Sequence, residues 1–460
     1  WPPVSCWDSW YNLSLTDKYS GQEEQAVGSL FFLAGIFVFQ CVGRASRKGV
    51  SDLRVGIVST FAENSYLCGM KRILEENKGV PASLLWTLAI ISGISVANLY
   101  YNQPLLNVMS EDLHVSEFTA NLIPMTTQIG YALGLLFIIP LGDLYKRRNI
   151  IVINFLLLAV SLFSIAGSPN IHFILAASLV TGICSVMPQI FIPIASQFSK
   201  PENKARNVGM MVSGLLTGIL GSRVISGIVG EYWGWRTMYY IAAVLMIGCI
   251  FVVLRMLPEM PSNFKGTYRE LMHSLFSLVR LNPTLRLVAV RAALCFGSFL
   301  TLWACLAFKL GGEPFHAGNN IIGMLGLCGV AGALTASIVG SYVRKLGVRK
   351  LNYIGCTLII LAWCIMWLFQ TTYIGFIVGI VIIDIGMQCV QISNQTCALS
   401  LVPQASNRVN TIFMTTYFIG GSLGTFLAGT FWHAFQWEGV VGVGIFLAVV
   451  SLTLTFFTKH

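Results

Sequence analysis

The sequence predicts an all-α membrane protein whose twelve transmembrane helices form two pseudo-symmetric six-helix bundles. Three observations lead to this prediction: an apolar composition, a series of apolar segments about 20 residues long, and the positions of the basic residues. Hydrophobic residues make up 55% of the 460 residues and charged residues 10%, with a mean hydropathy of +0.73. Soluble proteins carry roughly a quarter charged residues, so this chain cannot cover itself with a water-compatible surface.

Residues 83–457 divide into apolar segments that are separated by short polar breaks. Each segment is long enough for a helix that crosses a bilayer. Numbered in chain order as spans 1 to 12, they are 83–109, 118–141, 149–167, 170–197, 205–230, 235–257, 285–308, 318–343, 350–369, 373–398, 408–432 and 437–457. The widest break, 258–284, predicts an amphipathic cytoplasmic connector between an N-terminal bundle, 70–257, and a C-terminal bundle, 285–460.

Lysine and arginine are concentrated in alternate loops, which determines the predicted orientation. Basic loops are retained on the cytoplasmic side of a membrane. Here they follow the even-numbered spans, whereas the other face has only Arg236 and Lys309. Both termini are therefore predicted to be cytoplasmic. The net charge of +10 lies in these separate loops rather than on one surface, so it does not indicate a nucleic-acid partner.

Residues 1–69 do not continue this pattern. Their one apolar stretch, 27–42, is short for a span, and acidic residues precede it where a signal peptide carries positive charge. The segment from Met70 onward is typical of a cytoplasmic start. We therefore expect residues 1–69 to be upstream or artificially added sequence, with a disordered leader as the alternative.

A charged loop recurs at the same place in each half. Span 2 is followed by Gly142-Asp143-Leu144-Tyr145-Lys146-Arg147-Arg148, and span 8 by Gly340-Ser341-Tyr342-Val343-Arg344-Lys345-Leu346-Gly347-Val348-Arg349-Lys350. Such a repeat indicates two related six-span units. The loops resemble the G-x-x-x-D-R-x-G-R-R pattern of the major facilitator superfamily, and the resemblance extends over about 85–457.

The chain is similar in particular to the twelve-span drug and sugar efflux branch of that superfamily, which consists of drug:proton antiporters. The similar segments are 97–106, 234–236 and 384–388, whereas Ser222-Arg223 replaces a Gly-Pro pair of that branch. The resemblance implies two halves that rock about a central site. It also implies that spans 2, 5, 8 and 11 form the seam and that spans 1, 4, 7 and 10 surround a cavity.

Small residues repeat every four positions in spans 2, 5, 8 and 11. Helices in lipid approach each other closely through such residues, so we expect these ladders to pack at the seam between the halves. They are Gly130 and Gly134; Gly214, Gly218, Ser222, Ser226 and Gly230; Gly332, Ala336 and Gly340; and Gly420, Gly424 and Ala428.

Asp384 is the only carboxylate in the interior of a predicted span. Counted from Tyr373 at about 1.5 Å per residue, it lies about 16 Å deep, close to the middle of a hydrocarbon core about 30 Å thick. Gln388, Gln391 and Gln395 follow on the same helical face. A charge at this depth costs at least about 3 kcal/mol, so the stripe must face the bundle interior or a water-filled cavity.

Two interpretations of this stripe are open. In the first, Asp384 binds a proton or cation while the three glutamines contact substrate. In the second, the stripe only forms hydrogen bonds between helices. Arg223, in the outer half of span 5, also needs a polar partner. It either joins the two halves or pairs with Asp384 during transport.

Further substrate contacts are expected from polar and aromatic side chains on spans 1, 4 and 7. They are Asn98, Tyr101, Asn102, Gln189 and Trp303, each of which has ordinary packing as its alternative role. At the cytoplasmic mouth we expect a charge-paired latch that stabilises the outward-facing state, with simple topology-setting charge as the alternative. Its residues are Asp143, Arg147, Arg148, Lys345 and Arg349.

The motifs do not favour an enzyme. Residues 420–424 match the hydrolase pattern G-x-S-x-G, but they lie in a helical ladder and not in a strand-to-helix turn. The histidines lack metalloprotease spacing, and no metal, cofactor or phosphate-binding motif occurs. The sequence therefore predicts a monomeric transporter of the bacterial inner membrane, surrounded by lipid. The resemblance to the efflux branch implies that it exports small organic molecules in exchange for protons. Proton-coupled uptake is the alternative, followed by a non-transporting sensor.

Overall fold

The apolar segments form helices at the predicted places. The computed structural model describes residues 74, 78–258, 260, 267–402 and 405–457, with the backbone alone at 143, 205, 337, 341, 344, 406 and 457. The prediction for residues 1–69 lies outside the described residues.

The N-terminal half contains spans 1 to 6, and two of these spans are broken. The helices are Ala82–Ala97 and Leu106–Asp112 for span 1, Glu117–Phe137 for span 2, Arg147–Gly167 for span 3, Ile171–Cys184 and Pro188–Phe198 for span 4, Lys204–Trp233 for span 5, and Trp235–Met256 for span 6. The connector forms the helix Tyr268–Leu281. Pro104 lies in the first break, and Pro188 begins the helix after the second. Proline lacks the backbone N–H that a continuous helix would use.

In the C-terminal half, sharp bends join span 8 to span 9 and span 11 to span 12. The helices are Pro283–Gly311 for span 7, Asn319–Met324 and Val330–Leu368 for spans 8 and 9, Tyr373–Leu401 for span 10, and Ser406–Phe457 for spans 11 and 12. Gly347, with a φ of 77°, separates span 8 from span 9, and Gln436, with a φ of 53°, separates span 11 from span 12. A short 3-10 helix, Leu325–Gly329, lies inside span 8.

Nine helices in the described part of the chain are long and apolar enough to cross a membrane. One of them, Asn407–Phe456, contains both span 11 and span 12. Spans 1 and 2 are not among the nine, because the longest helix of span 1, Ala82–Ala97, has 16 residues, and the 21-residue helix of span 2, Glu117–Phe137, is less apolar than the nine. The described helices are thus consistent with twelve spans in a multi-pass membrane protein.

The two halves repeat the same helix pairing. Span 1 packs against span 5, span 2 against span 4 and span 3 against span 6. Adding six to each number gives the pairs of the other half, 7 with 11, 8 with 10 and 9 with 12. The bundles are therefore pseudo-symmetric, as the recurring loop predicts.

Several glycines of the small-residue ladders pack within the halves, and the expectation that they lie at the seam is wrong for these positions. They are Gly130, Gly134, Gly214, Gly218, Gly420 and Gly424. A Cβ on Gly130 would lie 2.1 Å from the Leu179 carbonyl oxygen of span 4. A Cβ on Gly424 would lie 2.1 Å from the Gly297 carbonyl oxygen of span 7. Small residues mark close backbone approach. That approach occurs inside each bundle, and also at the seam, where Gly227 of span 5 and Gly323 of span 8 lie against each other's backbone.

The halves contact each other where spans 2 and 5 meet spans 11 and 8. The Trp432 indole donates a hydrogen bond of 2.6 Å to Glu117, and Asn121 donates to the Thr425 carbonyl at 3.0 Å. Glu231 accepts a hydrogen bond of 2.7 Å from the Asn319 backbone N–H. We call the end of the molecule that carries Glu117 and Glu231 the closed end.

The opposite end carries the basic loops and is called the open end. A Cβ built at Gly209, Gly221 or Gly340 would meet no described atom within 4 Å, so the close approach of spans 5 and 8 at Gly227 and Gly323 is not repeated at these positions. A cavity opens here between spans 2, 4 and 11 and the connector helix. It is lined by Leu135, Ile139, Pro140, Gly142, Arg147, Gln189, Ile190, Pro193, Leu271, Leu275, Asn407, Arg408, Asn410 and Thr411.

Candidate functional site

Asp384 lies inside the protein, between span 10 and span 8. Its side chain is 7% exposed, and its Oδ2 atom is buried without a hydrogen-bond partner in the described part of the chain. Glycine at position 332 makes room for it, because a Cβ there would lie 3.1 Å from Asp384 Oδ1. A Cβ on Gly329 would also approach both carboxylate oxygens, at 3.8 and 3.9 Å. A buried and incompletely bonded carboxylate is costly, which makes this residue the centre of the candidate site.

Arg223 reaches the same region from span 5 of the other half. It is 3% exposed, and its Nε atom donates a hydrogen bond of 2.7 Å to Gln103 Oε1. Its guanidinium carbon lies 3.8 Å from the centroid of the Trp303 ring and 5.1 Å from that of Tyr100. Cation–π contacts of this kind are strongest where water is excluded. The stacking aromatic side chains and the amide therefore fix the position of the guanidinium.

Arg223 and Asp384 are close enough to interact electrostatically. Three glycines of span 8 lie beside the two charged side chains: a Cβ on Gly326 would lie 2.9 Å from Arg223 Cβ, and Gly329 and Gly332 face Asp384. The three glycines are spaced by three residues and share one face of the helix. This glycine face brings a cation of one half beside an acid of the other half.

The glutamines after Asp384 extend toward the open end. Gln391 accepts a hydrogen bond of 3.0 Å from the Tyr417 hydroxyl, and Gln395 donates one of 2.9 Å to Asn410. Asn410 lines the open-end cavity. Gln388 is half-buried on the same helix. Polar side chains therefore continue from the cavity along span 10 in the direction of the acid.

Aromatic rings border this polar row. Tyr417 of span 11 stacks on Phe296 of span 7, with ring centroids 3.8 Å apart. Tyr131 of span 2 packs on Phe418 of span 11 at 4.3 Å, and it accepts a hydrogen bond of 3.4 Å from Gln189. Amide and aromatic groups together suit an organic ligand of mixed polarity.

The predicted substrate residues fall into two groups. Gln189 lines the cavity, and Trp303 contacts Arg223. Asn98, by contrast, donates to the Ile94 and Ser95 carbonyls and contacts Met246 of span 6, and Tyr101 lies near Cys249 of the same span.

Asn102 is buried and its Oδ1 has no hydrogen-bond partner among the described residues. The first helix of span 1 ends at Ala97. The turn that follows places Asn98, Tyr101 and Asn102 on other faces than a continuous helix would.

The residues predicted to form a latch contact their own halves in this conformation. Arg147 donates to Gln197 at 3.1 Å, and Arg148 donates to the Leu254 carbonyl. Arg349 donates to the Phe456 carbonyl at 3.2 Å, and Lys345 lies over the Tyr342 ring. The side chain of Asp143 lies outside the described part of the structure. A latch between the halves would require the open end to close, so it stays a prediction.

Two important contacts were not predicted from the sequence. Gln103 is the hydrogen-bond acceptor of Arg223, and Gly326 provides the space beside it. The sequence contained a signal for each: a glutamine next to a helix-breaking proline, and glycines spaced by three residues along span 8. Neither signal identifies its partner without the tertiary structure.

The Gly234-Trp235-Arg236 motif lies at the closed end, away from the acid. Gly234 has a φ of 82° and forms the turn between spans 5 and 6. Arg236 and Trp235 both donate to the Asp112 carboxylate. The hydrogen bond from Arg236 is the main reason that the pKa of Asp112 lies below its ordinary value. This motif therefore ties span 1 to the turn between spans 5 and 6.

Known membrane transporters resemble this chain in sequence and in fold. The Major Facilitator Superfamily profile matches residues 85–425. The uncharacterized transporter YgaY of Escherichia coli O157:H7 is 36% identical over 376 residues, which cover 82% of this chain and 95% of that protein. The inner membrane transport protein YnfM of Escherichia coli K12 is 25% identical over 379 residues, which cover 81% and 89%.

A solved structure shows the same fold. It is a bacterial homologue of the human lysosomal transporter Spinster in an inward-facing, occupied conformation. The TM-score is 0.68 at 15% sequence identity, with 82% of this chain and 96% of that chain covered.

Proposed function

The chain belongs to the Major Facilitator Superfamily and is a membrane transport protein rather than an enzyme, and from this premise we propose that it exports small organic molecules in exchange for protons. The membrane is proposed to be the bacterial inner membrane, since YnfM is named as an inner membrane transport protein. The transporting unit is proposed to be a monomer, because the two six-helix halves that alternating access requires both belong to one chain.

The observation that carries the proposal is the burial of Asp384 beside a cation that belongs to the other half. A carboxylate inside a membrane protein is a functional-site hypothesis by default, because its charge is costly in hydrocarbon. Protonation removes that charge and with it the attraction to Arg223. Binding or loss of one proton therefore changes an interaction that crosses the seam.

Alternating access follows from the same arrangement. The described conformation is closed at one end and has a cavity at the other, which is the predicted cytoplasmic end. Rocking of the two bundles would expose the site to the opposite side. A proton or a substrate can drive this change only if its affinity differs between the two conformations. Asp384 is proposed to supply that difference for the proton.

The proposal is tested with purified protein in proteoliposomes that contain a pH-sensitive dye. A panel of small cationic, neutral and anionic organic compounds is added, with protein-free vesicles as the control. We expect at least one compound to cause proton movement opposite to its own. Movement in the same direction would support uptake by symport instead. Transport of a compound without any proton movement would refute proton coupling.

A further inference from the structure

Arg223 and Asp384 are both buried in one cleft, yet they do not form a contact ion pair in the described conformation. The only hydrogen bond that Arg223 makes to a side chain in the described structure goes to the neutral amide of Gln103. Asp384 Oδ2 has no hydrogen-bond partner there. In an interior of low dielectric constant, direct pairing of the two charges would be strongly favoured. The separated arrangement is therefore explained by a protonated, neutral Asp384 together with contacts that hold Arg223 elsewhere.

Two side chains make the contacts that hold the guanidinium. Gln103 accepts its hydrogen bond at 2.7 Å, and Trp303 stacks on it at 3.8 Å. Gln103 begins the 3-10 turn that Pro104 stabilises, so its backbone position is restricted. Trp303 is 2% exposed in span 7, and its indole N–H has no hydrogen-bond partner in the described residues. The ring is therefore kept in place by packing and by its contact with Arg223.

Gln103 and Trp303 come from different halves of the protein. Gln103 belongs to the same half as Arg223, whereas Trp303 belongs to the same half as Asp384. Rotation of the C-terminal half about the seam would therefore change which of its two groups, the indole or the carboxylate, faces the guanidinium. The hydrogen bond to Gln103 would resist that exchange while it is intact, and its loss would free the guanidinium.

We propose that Gln103 and Trp303 are positioning residues that hold Arg223 away from Asp384 in the conformation open at the basic-loop end, and that Arg223 moves onto Asp384 in the alternate conformation. The proposal rests on the proposed function, because it takes Asp384 as the proton site. While Arg223 is held away, Asp384 binds a proton. When Arg223 arrives, the carboxyl O–H bond breaks and the proton leaves to water.

The other titratable groups near Asp384 do not provide this switch. Cys328 of span 8 and Tyr417 of span 11 interact electrostatically with it, and the Tyr100 ring of span 1 lies 5.1 Å from the Arg223 guanidinium carbon. None of these three side chains carries a positive charge in any protonation state. Arg223 is therefore the group whose approach stabilises the Asp384 carboxylate.

The test is an infrared titration of the Asp384 carboxyl band, which needs no substrate. Gln103→Leu removes the hydrogen bond that holds Arg223, so the midpoint of the band should move to lower pH by about one unit, since a nearby cation lowers carboxyl proton affinity by that order. Gln103→Glu holds Arg223 more firmly, and its midpoint should move to higher pH. Gln370→Leu, in the turn before span 10, should leave the midpoint unchanged.

The downward shift in Gln103→Leu distinguishes positioning from a general structural effect, because replacing a polar group with an apolar one without moving Arg223 would move the midpoint to higher pH. Shifts of the same sign in both Gln103 variants, or no shift in either, would overturn the proposal. If Gln103→Leu does not fold, Trp303→Leu replaces it and should also move the midpoint to lower pH. Trp303→Phe keeps a ring for stacking and should restore most of the original value; equal shifts in the two Trp303 variants would overturn the proposal.

Asp384→Asn must abolish the band. A band that persists in this variant would show that Asp384 is not the titrating acid, which refutes the proton site of the proposed function. A band that disappears, together with absent shifts in the Gln103 variants, refutes only the positioning role.

Discussion

Replacing Gly323 with alanine should reduce transport by about tenfold and shift the protein away from the conformation closed at the Glu117 and Glu231 end. A Cβ at this position would lie 2.4 Å from the Arg223 carbonyl oxygen and 3.1 Å from the Gly227 Cα. Both obstacles are backbone atoms, so spans 5 and 8 have to separate. Overpacking of this kind costs about 1–3 kcal/mol, and about 1.4 kcal/mol changes a conformational equilibrium tenfold.

The shift can be measured as a distance between spin labels at Tyr232 and Glu313, two exposed positions at the closed end. Gly323→Ala should lengthen the distance in a larger fraction of molecules. Gly340→Ala is the matched control, because a Cβ at Gly340 has no described neighbour within 4 Å. Identical distance distributions in the wild type and in Gly323→Ala would show that contact between spans 5 and 8 does not keep this end closed.

Replacing Arg223 with leucine should lower thermal stability at alkaline pH, and adding Asp384→Asn should recover most of the loss. The single change leaves a buried carboxylate without its cation, and breaking a buried pair costs up to about 3–5 kcal/mol. The cost is expected below that limit, since the two groups lie near each other without direct contact. Removing both charges leaves no uncompensated charge at this place in the interior.

A double-mutant cycle in detergent measures this interaction. We expect a coupling free energy of about 1–2 kcal/mol between positions 223 and 384, in the range for residues that share one network. Asp112→Asn combined with Asp384→Asn serves as the control, because Asp112 binds Arg236, and these two changes should be additive. Additive effects of the changes at 223 and 384 would contradict an electrostatic link across the seam.

The helices were predictable because the bilayer leaves few alternatives. Every backbone N–H and C=O in hydrocarbon must be bonded internally, so an apolar segment of sufficient length predicts a helix. Asp384 and Arg223 stood out for a related reason: their charges are rare and costly inside such segments. Both are buried in the structure.

The partners of these residues were harder to predict. Gly130 indicated close packing, but its spacing did not reveal that the neighbour is span 4 of the same half. Asn98 was expected to contact substrate, yet the break after Ala97 turns it toward Met246. The contact between Gln103 and Arg223 joins residues 120 positions apart. Such contacts depend on which helix faces meet, and a periodic pattern in one segment does not contain that information.

The central claim is that Asp384 carries the transported proton, and the most direct measurement compares Asp384→Asn with the wild type in proteoliposomes. Transport of a substrate identified in the vesicle assay is measured in two ways. One is accumulation driven by an imposed pH gradient, and the other is exchange between equal internal and external concentrations. We predict that Asp384→Asn loses accumulation driven by the gradient but retains exchange. Gradient-driven accumulation at the wild-type level in that variant would contradict the claim.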